Sequence, residues 1–196
     1  MADNILSRKE SLILTAIEVI NEMGIQGLSI REVAKRQQMS NAAIFNHFKS
    51  KGDLINAVLD HYTQYDNALI QAVGLRKDSP KAAIINYMEM FYTYFENYPA
   101  ITAIAQLYDV LRCEPEFAEK VKAIFSSRRM NIKQMVEEAQ AAGQICSDVE
   151  SGCLADIILG SSSLITLRWR MEDYGFPLKE RVLDTVNTIL ASFSRS

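Results

Sequence analysis

The residues of this 196-residue chain best suited to chemistry by type and spacing lie in Ser29–Lys51, SIREVAKRQQMSNAAIFNHFKSK. On a 3.6-residue period Asn41, Ala42, Phe45 and Asn46 fall within an arc of about 140°, and Ile44 and Phe48 point elsewhere. Small side chains let a helix backbone approach base edges, and Asn offers both a donor and an acceptor to adenine. Ser40, Lys49 and Lys51 fall at predicted helix ends, where hydroxyls, ammonium groups and open backbone N–H groups suit phosphate. The chemistry on offer is contact with a nucleic acid. Phe45 also fits packing within the head, His47 fits a structural hydrogen bond, and Lys35 and Arg36 fit a solvated helix face.

Bond-making chemistry has no comparable pattern. The two histidines, His47 and His61, lie on predicted helices far from any cysteine, without metal-ligand spacing. No Gly-rich phosphate loop and no G-x-S-x-G elbow occurs, and the adjacent Glu137 and Glu138 face different ways on a helix. The expectation is therefore no enzyme, no metal and no cofactor. Cys113, Cys146 and Cys153 are odd in number and widely spaced, which fits reduced thiols better than a disulfide framework. Redox sensing by Cys146 and Cys153 is the alternative.

These residues need elements to hold them. Apolar residues recur at helical spacing nearly everywhere, with Gly and Pro between the periodic segments, so an all-α fold of about nine helices is expected. The first helix covers about Ser7–Met23, with Ile13, Ala16, Ile17 and Ile20 on one face, and stops at Gly24. Ser29 with Glu32 reads as a capping box for a second helix, Ser40 caps a third to about Phe48, and Ser50 with Asp53 starts a long fourth to about Val73. The polar stretch from Gly74 to Pro80 reads as a hinge. Pro80, Pro99 and Pro115 then open a fifth helix to about Tyr98, a sixth to about Cys113 and a seventh ending before Gly143. An eighth runs over about Asp148–Tyr174 and a ninth from Pro177 to about Phe193. The expected division is a three-helix head at residues 1–50 and a larger helical body at residues 51–196.

Composition fits that division. With 48% hydrophobic and 23% charged residues the chain is neither disordered nor membranous, and no apolar run reaches the ~18 residues of a membrane span. The start, MADNILSRKESLILTA, lacks a long apolar core and a small-residue cleavage site, so a cytoplasmic protein is expected. The net charge of −3 is uneven: residues 1–51 carry seven Lys or Arg against five Asp or Glu, so the acidic excess lies in the rest. A mildly basic head on an acidic body suits local contact with phosphate.

Residues 8–55 resemble the amino-terminal domain of the TetR (tetracycline repressor) family of bacterial regulators. The likeness rests on the first-helix pattern IL-T-AIEVINEMG, on GLSIREVAKRQQMS, and on -IFNHFKSKGDL closing the reading helix. The resemblance implies a homodimer that places the third helix of each subunit in successive major grooves of a palindromic double-stranded operator. By family pattern Asn41, Ala42, Ala43 and Asn46 lie near bases, and Ser29, Ser40, Phe45, His47 and Lys51 near the sugar-phosphate backbone. Two departures stand out. The family usually has Tyr at the Phe45 position, and a small residue and Gly approaching the turn where this chain has Gln37, Gln38 and Met39.

The resemblance also implies a small-molecule effector held by the body. The fifth helix is strongly aromatic, and Tyr87, Phe91, Tyr94 and Tyr98, with Tyr108, Phe125, Arg128 and Trp169 from elsewhere, are the candidate lining. Plain core packing explains the same residues. An apolar or aromatic effector is expected, with Arg112, Arg128, Arg168 and Arg170 leaving room for a carboxylate or phosphate on it. Leu154, Ile158, Ser161 and Ile165, with Val182, Val186, Ile189 and Leu190, are the candidate dimer interface on the last two helices. The functional expectation is a ligand-responsive repressor. A protein-interaction module that has lost operator binding is the alternative, and a helical carrier or enzyme a further one.

Overall fold

A computed structural model describes residues 7–75 and 78–194. Part of the amino-terminal stretch, and Arg76 and Lys77 of the expected hinge, lie outside the described residues. Within them the chain forms ten α-helices and no strand: α1 (Arg8–Gly27), α2 (Ile30–Arg36), α3 (Asn41–Phe45), α4 (Lys51–Gly74), α5 (Pro80–Asn97), α6 (Thr102–Ala105), α7 (Tyr108–Leu111), α8 (Ala118–Ala141), α9 (Ser151–Met171) and α10 (Leu178–Ser192). The extra helix arises where one sixth helix was expected. Pro99–Ile101 form a 3₁₀ turn, and the amides of Gln106 and Leu107 bond three residues back to Ala103 and Ile104, closing α6 after one turn. Ala100–Ile104 are all buried, and a straight amphipathic helix cannot bury five consecutive residues on one stripe.

Two compact units result. One comprises Met1–Gln64 with Ala100–Lys122, the other Tyr65–Pro99 with Ala123–Ser196. The unit that carries the head is therefore larger than residues 1–50 and takes in the segment after Pro99.

In the first unit Leu12, Ile13, Ala16, Ile17, Val19 and Ile20 of α1 are buried, and α1 packs on α2 and α6. Its helical backbone breaks at Gly24, whose φ of +69° favours glycine. Caps fix the starts of the next helices. Ser29 Oγ accepts the Glu32 amide at 3.1 Å, Ser40 Oγ the Ala43 amide at 3.2 Å, and Ser50 and Asp53 complete a reciprocal box at 3.0 and 3.2 Å. The Ser29 box is only half formed, because Glu32 turns its carboxylate to Arg36 at 2.9 Å. Segment 112–122 grips α4 in the same unit. Asn56 Nδ2 donates to Glu116 at 3.2 Å and Lys120 pairs with Asp60 at 2.8 Å.

In the second unit α10 packs on α5 and α9. Val182, Val186 and Leu190 repeat at i, i+4, i+8 and are wholly buried, as are Leu154 and Ile158 of α9. Pro177 gives α10 no side-chain cap, and Glu96 of α5 supplies one by accepting the Lys179 amide at 3.0 Å.

Candidate nucleic-acid interface and effector site

The third helix presents what its sequence pattern implies. Ile44 and Phe48 are buried and anchor it, and Asn41, Ala42, Phe45, Asn46 and His47 are exposed, with Ala43 half-buried. The helix ends at Phe45, earlier than the expected Phe48, and Asn46 keeps helical backbone angles as its cap, so the four-residue arc survives. Ser29 and Ser40 each spend the side-chain oxygen on a helix cap, and their hydroxyl hydrogens remain available to an acceptor.

Each of the two lysines after α3 donates to a backbone carbonyl. Lys49 Nζ donates to the Phe45 carbonyl at 2.8 Å and so caps the end of α3. Lys51 Nζ donates at 2.7 Å to the Ile25 carbonyl, near the end of α1. Both place a cation where a helix exposes carbonyl oxygens, the favourable sign for that end. Arg36 is held between Glu22 at 2.7 Å and Glu32 at 2.9 Å, which makes it an internal tie of the head. Lys35 and Arg31 are exposed.

The atypical turn has a physical account. Gln37 bridges back to α1, its Oε1 accepting from Ser11 at 3.1 Å and its Nε2 donating to Thr15 at 2.6 Å. A small residue could not make that bridge. Gln38 then takes a φ of +52°, the left-handed conformation that glycine adopts without penalty. Gln38 therefore carries backbone strain in this turn.

The candidate effector residues divide. Tyr87 and Phe91 are buried and stacked with centroids 6.0 Å apart, and Phe91 meets Phe95 at 4.4 Å. Half-buried Tyr94 stacks on Tyr65 at 3.6 Å and leans on Tyr98 at 6.3 Å. The Arg128 guanidinium lies 4.5 Å over the Phe91 ring and bonds Asp66 at 2.6 and 3.2 Å. These five candidates, Tyr87, Phe91, Tyr94, Tyr98 and Arg128, form one region. Trp169 is buried against Tyr174 at 4.7 Å. Phe125 is 60% exposed, because its position on α8 faces away from the buried stripe of Val121, Ile124 and Ile132, which corrects its reading as an inner wall. Tyr108 belongs to the other compact unit, edge-on to Tyr62 at 6.4 Å. A cleft of about 250 Å³ opens in the second unit beside Ile70, Val73, Pro80, Asn131, Met135 and Glu138, and none of the eight candidates lines it.

Asp66 escaped the sequence reading. Its signal was present: Tyr62, Asp66, Leu69 and Val73 share the buried face of α4, so a carboxylate stands where periodicity calls for an apolar residue. Burial pushes its pKa up, while the Arg128 guanidinium pulls it down. Arg112 bonds Asp109 at 2.6 Å on the surface, and Arg168 lies over Phe176.

The dimer candidates are also redistributed. Leu154, Ile158, Val182, Val186 and Leu190 are spent in packing α9 and α10 within the protomer, so they cannot serve as surface contacts. Ser161, Ile165 and Ile189 are half-exposed. The apolar residues that α9 does expose are Ile157, Leu164, Leu167 and Met171, with Leu164 at 67% and Met171 at 71%. The sequence signal was a second apolar stripe on a helix whose first stripe is core.

Among the described residues no cluster of His, Cys, Asp and Glu could hold a metal ion, and no helix is long and apolar enough to cross a membrane.

Comparison with known proteins decides the family. Residues 12–58 match the model of bacterial regulatory proteins of the tetR family, and residues 61–192 match that of the YsiA-like protein carboxy-terminal region. The chain belongs to the TetR family. The family model matched by residues 12–58 describes bacterial regulatory proteins. It is 38% identical over 69 residues to the regulator BetI of Proteus mirabilis, which covers 35% of this chain and 34% of BetI. The match to the class C tetracycline repressor of Escherichia coli spans about a quarter of that protein, 24% of its length at 36% identity. A longer match, 22% identical over 186 residues, covers 91% of this chain and 89% of the repressor BepR of Brucella suis. Solved structures share the fold. The ketosteroid regulator KstR2 of Mycobacterium tuberculosis superposes with a TM-score of 0.83 at 15% identity, covering 98% of this chain and 97% of its own. FadR from Bacillus subtilis, in complex with stearoyl-CoA, does so with a TM-score of 0.79 at 16% identity, covering 93% and 98%.

Proposed function

We propose that this regulator is a homodimeric repressor that binds a palindromic operator through α3 and is released by a small apolar or aromatic effector held in the body. The observation that carries the DNA half is the exposed face of α3, with Asn41, Ala42, Phe45 and Asn46 outward while Ile44 and Phe48 hold the helix from behind. Asn41, Ala42, Ala43 and Asn46 face the bases; Ser29, Ser40, His47 and Lys51 face the sugar-phosphate backbone. The effector half is supported by the aromatic region of α5 together with the ion pair Asp66–Arg128. Dimer formation is supported by the apolar residues that α9 leaves exposed, which a second copy of α9 and α10 would cover. Release then follows from a population shift: the effector prefers a conformation in which the two reading helices no longer match the ~34–36 Å between successive major grooves.

Selection from random duplex DNA tests this reading. Enrichment of a palindrome is expected, with affinity that falls steeply as salt rises. Asn41→Ala or Asn46→Ala should weaken the selected site by about 1–3 kcal/mol, as loss of a base contact does. No enriched sequence at low salt would leave the fold without operator binding. For the effector, thermal shift across a panel of apolar metabolites and drugs is the measurement. The stearoyl-CoA held by the FadR neighbour names one amphiphile to include. A compound that raises the melting temperature and lowers operator affinity is the expected result.

A further inference from the structure

We infer that Phe45 is a base-reading residue, packing its ring on the 5-methyl group of one thymine in each operator half-site. This rests on the operator reading above. Three observations lead to it. Phe45 is 44% exposed although Ile44 and Phe48 on either side are buried, so the inward positions of this segment are filled and the ring is not a displaced core residue. It shares its exposed arc with Asn41, Ala42 and Asn46, the small and amide residues of the helix, and so lies on the reading face and not on its flank. Its ring carries no donor, so it can make no hydrogen bond to phosphate.

What an apolar ring can gain from duplex DNA is limited. The major groove offers donors and acceptors at every base pair, and its apolar feature is the thymine methyl, a group that Phe side chains contact. A large apolar side chain left in water on a polar reading face is therefore a specificity element. It favours T·A over C·G at one position, which Asn41 and Asn46 do not need to contact. The Phe45 carbonyl is capped by Lys49 at 2.8 Å, so the ring stands at a fixed helix end.

The test is a cycle between the ring and the methyl. Each thymine of the selected operator is replaced in turn by deoxyuridine, which removes the methyl and leaves every hydrogen bond of the base pair in place. Affinity is measured for the full chain and for Phe45→Ala. One deoxyuridine position per half-site should weaken wild-type binding about fourfold, the worth of one buried methyl, and about fifteenfold when both half-sites are changed. The same replacements should change Phe45→Ala binding by less than twofold. Phe45→Ala should leave the slope of affinity against salt unchanged, whereas a residue on phosphate would lower it. Phe45→Leu, which keeps an apolar contact, should retain part of the methyl dependence and guards against a folding artefact, with melting temperature measured for each variant. If every deoxyuridine costs the same in wild type and Phe45→Ala, Phe45 does not read a methyl and the inference fails while operator binding stands. If no DNA is selected, the operator reading itself fails and takes this one with it.

Discussion

Asn41 on α3 and Phe91 on α5 mark the contrast between the head and the body. Asn41 is exposed, sits in the first turn of a five-residue helix, and depends on its neighbours for position: Ser40 caps the helix and Ile44 pins it. Phe91 is buried among Tyr87, Tyr92, Phe95 and the Arg128 guanidinium. In the head, the residues proposed for recognition and those that provide stability are different residues of the same short helix. In the body, Tyr87 and Phe91, two of the proposed effector residues, are buried residues that help hold the unit together. Changes to the reading face should therefore separate function from folding, and changes to the aromatic region should not.

The sharpest break of that contrast is Phe91→Ala. Loss of the ring should destabilise the chain by about 3–5 kcal/mol, read as a lower denaturant midpoint, with any effector response lost alongside. Asn41→Ala should leave the same midpoint within about 0.5 kcal/mol. Next in size is Lys51→Met, which removes a charged cap from α1. It should cost about 1–2 kcal/mol of stability as well as operator affinity, so Lys51 would be the head residue that behaves like the body. Gln38→Gly runs the other way. Relief of the left-handed backbone should raise stability by about 0.5–1 kcal/mol while keeping the turn, measured by the shift in melting temperature. The smallest effect is in pH. Burial holds the half-buried His61 below its ordinary pKa of 6.5, against the opposing pull of Glu10, so the unfolded chain protonates first as pH falls. The stability contributed by the neutral ring is complete above that value and declines as pH drops through it toward the folded-state pKa. His61→Gln should flatten this part of the melting-temperature profile, as pH falls below the ordinary histidine range.

The same contrast explains what could be read from the sequence. The reading helix is defined by local signals, a cap at Ser40, two buried apolar positions and a small polar face, and each acts over a few residues. Its end at Phe45 was less legible, because nothing in Asn46–Lys49 shows that the ladder gives way to three-residue bonds there. In the body, Leu154, Ile158, Val182, Val186 and Leu190 have the composition of an interface and of a core alike. Only their partners on the facing helix decide the matter, and those partners are remote in sequence. Asp66–Arg128 is of the same kind, since its two halves stand 62 residues apart. The break after Ala105 was hidden because Ala100–Ile104, apolar but for Thr102, read equally well as part of one longer helix.

Lys49 and Lys51 already donate to the carbonyls of Phe45 and Ile25 in the folded head. A lysine side chain loses up to about 2 kcal/mol of rotamer freedom when it is pinned. For these two, that ordering accompanies folding instead of docking. An ammonium group with three donors can keep its carbonyl and still meet a phosphate, so in the proposed operator complex such a contact would form without a fresh entropic loss.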